Sequence, residues 1–267
     1  MPGAGDAYRQ SRERLRQAEI ELRDRIEAVA AMRRALPPGP VVPEYAFIED
    51  GNRIALSELF APGKPYLILY HLMYWANEDD FCPMCSLWID GFNAIAPHVT
   101  QRANLVIASR APVERLRAWG EHREWRRLRL LSDDGPAFAR AIDAEDAEGN
   151  PDSTIAVFAK EGDVVRHVYT AHPMLADRER GIDLLSPVWH LFDLMPSGRG
   201  DWYGTNDGFD AVRSRLVQKM PLALSTAPFD STERAGCKAI CRPGGFNCTM
   251  TGRIFERHGR SDPAWKS

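Results

Sequence analysis

The sequence predicts an α/β protein in which helices flank a central mixed sheet. The run from Tyr66 to Met73 is aliphatic and aromatic, which is typical of a strand buried on both faces. Beyond this run, predicted strands alternate with predicted helices, and the series ends in an antiparallel hairpin at residues 155–169. The pattern therefore indicates one α/β domain with an additional segment at each end.

Composition excludes several kinds of partner. The 267 residues are 44% hydrophobic and 27% charged, which is enough to build a full core. The net charge of -3 and the mixing of basic with acidic residues argue against nucleic acid as a partner. No apolar run approaches the roughly 20 residues that span a bilayer, so we expect no membrane partner. Without a signal-peptide pattern, we expect a cytoplasmic protein with reduced thiols.

An amphipathic helix is predicted at residues 8–36. Its apolar residues recur at heptad-like steps among Arg and Glu; they are Leu15, Ala18, Leu22, Val29, Met32 and Leu36. Arg25 interrupts this stripe, which favours packing of the helix across its own domain. A homo-oligomer through the helix is the alternative. The Pro-rich residues 37–40 then end the helix and form a stiff connector.

The main domain is predicted at residues 41–219, after the helix and connector at 1–40 and before an extension at 220–267. A small hairpin at 45–55 and a helical turn at 56–60 precede the central strand. The later elements are a strand at 104–110, a helix at 111–120 that Gly120 ends, a strand at 128–131, a helix from Pro136, the hairpin and a helix at 189–195. Residues 196–208 form an irregular loop that is either lid-like or covers an edge.

The sequence Cys82-Pro83-Met84-Cys85 places two thiols one helical turn apart, directly after the strand and a polar loop. At a helix N-terminus, unpaired N–H groups and the helix dipole favour a thiolate over a thiol. We therefore predict that Cys82 is the nucleophile and the more exposed thiol, and that Cys85 resolves the mixed disulfide. A Cys82 buried inside the core would remove this interpretation. Half of a zinc site or two inert buried thiols are the alternatives.

The hairpin and the Leu56-Ser57-Glu58-Leu59 turn before the strand resemble the alkyl hydroperoxide reductase and thiol-specific antioxidant group. The string Cys-Pro-x-Cys-Ser-x-Trp-x-Asp-Gly-Phe-Asn is similar to that of the bacterial family known as domain of unknown function 899, and the resemblance spans roughly Tyr8 to Phe209. It implies a thioredoxin-like fold, with an N-terminal helical arm and a Cys-containing C-terminal extension here, and a redox-capable dithiol. It implies no substrate.

Two departures from these relatives narrow the chemistry. Peroxiredoxins carry Thr or Ser three residues before their reactive cysteine, whereas this chain has Asp79, a carboxylate that would oppose thiolate formation. Peroxidase activity of that type is therefore not expected. Thioredoxins carry a cis-proline directly before the hairpin strand, where this chain has Ser153 or Thr154. Pro151 is interpreted as an ordinary turn residue, which argues against general reduction of protein disulfides.

Three residues near the dithiol are candidates for substrate binding. Trp75 and Trp88 flank the two cysteines, with packing in the core as the alternative. Arg110 ends a predicted strand and could hold an anion or stabilise a thiolate, with a surface salt bridge as the alternative. His71 lies within the central strand and is interpreted as a core histidine with its hydrogen bonds satisfied.

The C-terminal extension contains a second group of sulfur residues. Cys237, Cys241 and Cys248, with His258, have the donor types of a tetrahedral zinc site, although the spacing is not a common zinc pattern. A disulfide within the segment, or a tail that delivers electrons to Cys82 and Cys85, is the alternative.

These patterns predict a thiol-disulfide oxidoreductase. Its partners would be an external thiol reductant and a disulfide substrate, and it would require no cofactor. The first alternative is a metal-binding protein that takes zinc or copper through Cys82 and Cys85, through the C-terminal trio, or through both. The second is a scaffold that keeps the fold without redox chemistry.

Overall fold

The structure is a computed structural model that describes residues 5–172 and 185–198, together with residues 3, 200, 202, 204–206 and 209. The helices are α1 Asp6–Arg34, α2 Pro83–Val99, α3 Val113–His122, α4 Ala137–Ala141 and α5 Pro187–Phe192, with a 3₁₀ turn at Leu56–Leu59. The strands are β1 Ala46–Glu49, β2 Asn52–Ala55, β3 Tyr66–Leu72, β4 Tyr74–Trp75, β5 Asp80–Phe81, β6 Asn104–Ser109, β7 Arg129–Asp133, β8 Thr154–Glu161 and β9 Val164–Ala171.

Seven strands form one mixed sheet in the order β2-β1-β7-β6-β3-β8-β9, and β4 pairs with β5 in a separate ribbon. Strand β3 is parallel to β6 and antiparallel to β8, while β8 and β9 form the closing hairpin. Helix α2 provides the crossover between the parallel strands β3 and β6, as a parallel pair requires. This arrangement is the thioredoxin-like α/β fold that the sequence predicts.

The sheet is buried on both faces because α2 and α3 lie on one side and α4 on the other. Tyr70, Leu72 and Ile107 belong to the core cluster that contains the two cysteines of α2. Leu67 and Leu69, which alternate with them along β3, belong to the cluster on the α4 side. Strand β3 is therefore buried over most of its length, as its near-continuous apolar sequence predicts.

Helix α1 does not pack into its own domain as the sequence analysis expected. None of its residues is buried over Asp6–Arg34. Arg33 lies over the Tyr169 ring at 5.4 Å, which places the C-terminal end of α1 beside β9. The connector after α1 then runs along β9, where the His167 N–H donates to the Pro40 carbonyl at 3.0 Å. A Cβ at position 39 would lie 1.9 Å from the His167 carbonyl oxygen, so this close approach requires Gly39.

One further difference from the sequence analysis has a local cause. Helix α3 continues through Gly120, which the sequence analysis took as its end, to His122. A Cβ at position 120 would lie 2.3 Å from Leu130 Cδ1, so the glycine allows β7 to pack closely.

The proposed ligands Cys237, Cys241, Cys248 and His258 lie outside the described residues. Among the helices of the described part, none is long and apolar enough to cross a membrane.

Replacing Asn104 by Ala should destabilise the domain by about 2–3 kcal/mol, because it leaves buried backbone groups without partners. The Asn104 side chain donates to the carbonyls of Lys64 and Tyr66 and accepts from the Ala61 N–H, which joins the starts of β6 and β3. Urea unfolding measures the change. Asn52→Ala, which removes an exposed amide, is the control and should change stability by less than about 0.5 kcal/mol. Equal effects of the two substitutions would contradict this role.

Candidate active site

The dithiol lies at the N-terminus of α2, where the sequence analysis expected it. Cys82 is the N-cap residue with an extended backbone conformation, and Pro83 follows within the first turn of the helix. The Cys85 N–H donates to the Cys82 Sγ at 3.4 Å, so the sulfur takes the place of the usual capping oxygen. The Cys82 N–H donates to the Met73 carbonyl at 3.3 Å, which ties the cap to the end of β3.

The two thiols have opposite acidities. Hydrogen bonding with Cys85, first from its side chain and then from its backbone N–H, lowers the pKa of Cys82 despite the burial of this thiol. Burial, and then the nearby Cys82 sulfur, raise the pKa of Cys85 well above the ordinary value of a thiol. The Cys82 thiol is therefore the more acidic of the two. The roles of nucleophile and resolving thiol remain predictions from the sequence.

Tyr70 and Ser153 form the wall of the site behind Cys85, and sequence reasoning assigned Tyr70 no role. Tyr70 is fully buried, and burial followed by the neighbouring Cys85 raises its pKa well above the ordinary value. Its hydroxyl lies close enough to Cys85 and Ser153 to interact with both, yet it has no hydrogen bond of normal geometry. The alternation of β3, which points Tyr70 to the same face as Leu72, is the sequence signal that could have identified it.

Cys82 is more exposed than Cys85, as predicted, but only slightly: 6% of its surface is accessible, against 0% for Cys85. The Gly204–Asn206 segment contacts Phe81 and Met84, which lie next to and two residues beyond Cys82 in the chain. A Cβ at Gly204 would lie 3.3 Å from the Met84 Sδ, and the Asn206 side chain donates to the Phe81 carbonyl at 3.3 Å. Cys82 is therefore buried within the core cluster, which is the outcome that the sequence analysis names as counting against an exposed nucleophile. A substrate can reach this sulfur only if residues around it move.

Asp79 does not oppose the thiolate as the sequence analysis expected. It accepts a hydrogen bond from the Tyr74 hydroxyl at 2.7 Å and one from Arg115 Nε at 2.8 Å. The Tyr74 hydroxyl and the Arg115 guanidinium lower the pKa of Asp79. Burial and then Asp79 raise the pKa of Tyr74 to about 12. The carboxylate that raises the pKa of Cys82 is instead that of Asp80.

The three predicted substrate-binding residues have different surroundings. Trp88 is buried and its ring centroid lies 6.4 Å from that of Tyr70, so it packs in the core. Trp75 is half-buried and packs against the same core cluster from β4. Arg110 donates from Nε to Glu145 at 3.1 Å, on the side of the sheet that carries α4. Arg110 thus forms a salt bridge, which is the alternative that the sequence analysis gave for it, and its side chain does not line the dithiol.

The residues after Cys85 that resemble the family string fix α2 in place. Asp90 accepts from the Trp125 indole N–H at 2.8 Å and pairs with the buried Arg123, and burial raises its pKa. The Asn93 side chain donates to the Glu124 carbonyl at 3.1 Å and accepts from the Arg127 N–H at 3.0 Å. These contacts hold the helix against the loop that follows α3. The string is therefore a scaffold for the dithiol, and its polar residues act through the position of α2.

His71 points to the opposite face of the sheet from the dithiol. Its Nε2 lies 3.1 Å from Asp133 Oδ2, and both side chains are buried. This agrees with a core histidine, although its Nδ1 has no hydrogen-bond partner. Within the described part of the chain, no group of three or more His, Cys, Asp or Glu residues is placed to hold a metal ion. Cys82 and Cys85 therefore supply two donors without a third from these residues.

The fold and this site define a thioredoxin-like protein with a dithiol at the N-terminus of a helix. Residues 3–215 match the family described as bacterial protein of unknown function (DUF899), and the chain belongs to that family. The match confirms the membership that the dithiol string predicts, over a slightly longer span. The comparison with curated proteins gives no match.

Solved structures with a similar arrangement include two peroxiredoxin-type proteins. Peroxidoxin BcpB from Mycobacterium tuberculosis is 18% identical, with 51% of this chain and 86% of that chain covered and a TM-score of 0.42. Reduced Prx3 from Vibrio vulnificus is 18% identical, with 57% of this chain and 98% of that chain covered and a TM-score of 0.41. An uncharacterized conserved protein from Geobacillus kaustophilus is 14% identical, with 71% of this chain and 86% of that chain covered and a TM-score of 0.39. These values do not carry the activity of any of these proteins over to this chain.

Replacing Asp80 by Asn should lower the pKa of Cys82 further, because it removes the carboxylate that opposes the thiolate. The amide oxygen can still accept the Phe81 N–H that Asp80 accepts at 2.8 Å. Alkylation of Cys82 by iodoacetamide, followed by peptide mass analysis across a pH series, should show its midpoint shifted to lower pH. Glu78→Gln removes the same charge two residues earlier in the chain than Asp80 and is the control. A midpoint unchanged by Asp80→Asn contradicts the assignment.

Replacing Asn206 by Ala should make Cys82 react faster, because it removes the amide that donates to the Phe81 carbonyl. A hydrogen bond of this kind contributes roughly 1 kcal/mol, so the alkylation rate of native protein should rise about two- to tenfold. The melting temperature should stay within a few degrees of the wild type. Asn52→Ala is the control for loss of an exposed amide. An unchanged rate in Asn206→Ala would show that this contact does not limit access to the sulfur.

Proposed function

We propose that the protein is a thiol-disulfide oxidoreductase that uses Cys82 as nucleophile and Cys85 as resolving thiol. The observation that carries the proposal is the opposite shift of the two thiol pKa values within one helical turn. A pair of inert buried thiols would both be stabilised in the protonated form, because burial disfavours the charged state. Here the hydrogen bond with the Cys85 side chain, and then those from the N–H groups of Cys85 and Met84 at the start of the helix, lower the pKa of Cys82 despite its burial, which supports redox chemistry over a purely structural role.

The first step is attack of the Cys82 thiolate on one sulfur of a substrate disulfide. A bond forms between Cys82 Sγ and that sulfur, the substrate S–S bond breaks, and the other sulfur leaves as a thiolate that takes a proton from water. The Cys85 N–H, which donates to Cys82 Sγ in the reduced protein, holds the sulfur at the end of the helix. The product of this step is a mixed disulfide between Cys82 and half of the substrate.

The second step closes a disulfide within the protein. Cys85 gives its proton to the departing substrate sulfur and attacks Cys82 Sγ, which releases the substrate half as a thiol and forms the Cys82–Cys85 disulfide. The Tyr70 hydroxyl, which lies beside Cys85, can hydrogen-bond to the sulfur as its charge develops. Two electrons have then passed to the substrate. An external thiol compound or dithiol protein returns the pair to its reduced form.

The surroundings of Cys82 favour a small substrate. Thioredoxin-type reduction of a folded protein requires the partner's backbone to lie against the dithiol. In this chain the Gly204–Asn206 segment occupies the neighbourhood of Met84 and Phe81, and Ser153 stands where a cis-proline would be. Among the described residues there is no cis peptide bond. A low-molecular-weight disulfide or an oxidised sulfur compound therefore fits the site better than a folded protein.

Trapping the mixed disulfide tests this proposal. In Cys85→Ser the second step cannot occur, so a small aromatic disulfide such as dithionitrobenzoate should leave one adduct on Cys82, released only by added thiol. The wild type should instead release two equivalents of aryl thiolate and form a Cys82–Cys85 disulfide. Peptide mass analysis locates both products and separates them from reactions of the C-terminal cysteines.

Controls separate this function from the metal-binding alternative. Cys82→Ser should abolish the reaction at this site, whereas Cys237→Ser should leave the Cys82–Cys85 product unchanged. Anaerobic purification followed by elemental analysis measures bound zinc and copper. Stoichiometric metal lost in Cys82→Ser would overturn the redox proposal, and so would a wild-type protein that forms no Cys82–Cys85 disulfide.

A further inference from the structure

The N-terminal helix α1 carries an apolar stripe that Arg25 interrupts and that is largely exposed. Along its 29 residues none is buried. Leu15, Leu22 and Met32 are 53%, 59% and 63% exposed. A helix in a globular protein obtains most of its stability from the packing of such a stripe, and against the described part of the chain this helix buries none of its residues. The stripe therefore calls for a partner surface.

The spacing of the stripe matches the seam of a two-stranded coiled coil. Tyr8, Leu15, Leu22 and Val29 recur every seven residues and occupy one core position of the heptad, the a position. Ser11, Ala18, Arg25 and Met32 occupy the second core position, d, three residues further along each heptad. Every a position is apolar and half of the d positions are, which describes an imperfect but recognisable seam.

We infer that α1 forms a parallel two-stranded coiled coil with α1 of a second copy of this chain. Charge complementarity across the seam supports this occupant. In a parallel pair, Arg14 of each copy lies opposite Glu19 of the other, which gives two symmetric attractive contacts. Glu21 lies opposite Ile26, and Ala28 opposite Arg33, so no like charges face each other at these flanking positions.

The antiparallel arrangement is disfavoured by the same charges. When two copies of Asp6–Arg34 overlap fully in antiparallel orientation, Glu19 lies opposite Glu19 and Glu21 opposite Glu21. The parallel pair avoids both repulsions. Forming it requires Glu19 to exchange Arg12, which bonds it at 3.0 Å, for Arg14 of the other copy. Arg12 and Glu19 are both exposed, and such a surface pair contributes little, so the exchange is nearly neutral.

The size of the seam indicates a weak, concentration-dependent dimer. A helix of 29 residues is about 43 Å long and about 10 Å wide, so two copies bury about 900 Å² in total. Stable interfaces bury about 1,200 Å² or more. In addition, Arg25 lies opposite Arg25 of the second copy at a d position, where a cation weakens the seam. Replacing this arginine with an apolar residue should therefore strengthen the association.

Sedimentation equilibrium of the full chain over about a hundredfold range of concentration tests the inference. The wild type should show a reversible monomer-dimer equilibrium, and Arg25→Leu should lower the dimer dissociation constant by about tenfold or more. The double variant with Leu15→Glu and Leu22→Glu should be monomeric. The control is Gln10→Glu with Gln17→Glu, which adds the same two charges seven residues apart on the outer side of α1 and should dimerise like the wild type.

A charge exchange tests the parallel orientation. Arg14→Glu and Glu19→Arg should each weaken the dimer a few-fold, and their combination should restore it, because each pair lies across the seam. A chain that is monomeric throughout the range overturns the inference, as does a dimer that persists in the Leu15→Glu, Leu22→Glu variant. A dimer that is no tighter in Arg25→Leu than in the wild type also overturns the inference. Tighter association is a useful readout because misfolding of the variant could not produce it. None of these measurements depends on the redox activity of Cys82.

Discussion

The contact between the Cys82 sulfur and the Cys85 N–H is the interaction on which the chemistry of this protein depends. The thiol of Cys82 is almost completely enclosed, and enclosure alone would keep it protonated. Hydrogen bonding from the Cys85 side chain, and then from the N–H groups at the start of α2, lowers the pKa of Cys82, while burial and the Cys82 sulfur raise that of Cys85. The difference in reactivity between two chemically identical side chains thus comes from their positions within a single helical turn.

The remainder of the domain keeps that turn in place. The end of β3 accepts the Cys82 N–H through the Met73 carbonyl, and the middle of α2 is tied through Asp90 to Arg123 and Trp125. Burying the paired charges of Asp90 and Arg123 has a desolvation cost, which hydrogen bonds to both groups reduce. Fixing the helix at its first turn and at Asp90, near its middle, restricts movement of the turn in which the two sulfurs must meet.

Burial of the Cys82 sulfur protects it from solvent and also restricts the approach of a substrate. Cys82 is 6% exposed, and the Gly204–Asn206 segment contacts its chain neighbours Phe81 and Met84 through one hydrogen bond and one close glycine contact. Such burial raises the pKa of Cys82, against the hydrogen bonds that lower it, and it slows adventitious oxidation of the sulfur. It also limits the size of a compound that can reach the sulfur. Peroxiredoxin-like catalysis is not needed to explain any of these contacts.

Local sequence patterns predicted most of the fold correctly. The buried run of β3, the helix start at Pro83 and the closing hairpin each follow from residues adjacent in the chain, through propensity and periodicity. The prediction was less successful where distant segments meet. Gly120 was read as a helix end, but it lies within α3 because Leu130 packs against it, and α1 was expected to pack on its own domain, where it has no buried residue.

The sequence by itself determined that two thiols stand at the start of a helix after a buried strand, because that information is contained within consecutive residues. Only the tertiary structure decided that Tyr70 and Ser153 stand behind Cys85, that Asp79 is neutralised by Arg115, and that Arg110 belongs to the opposite side of the sheet. These relations join residues that are far apart in the chain. No local pattern specifies them, because they arise when the packing of two core layers brings separate strands and helices together.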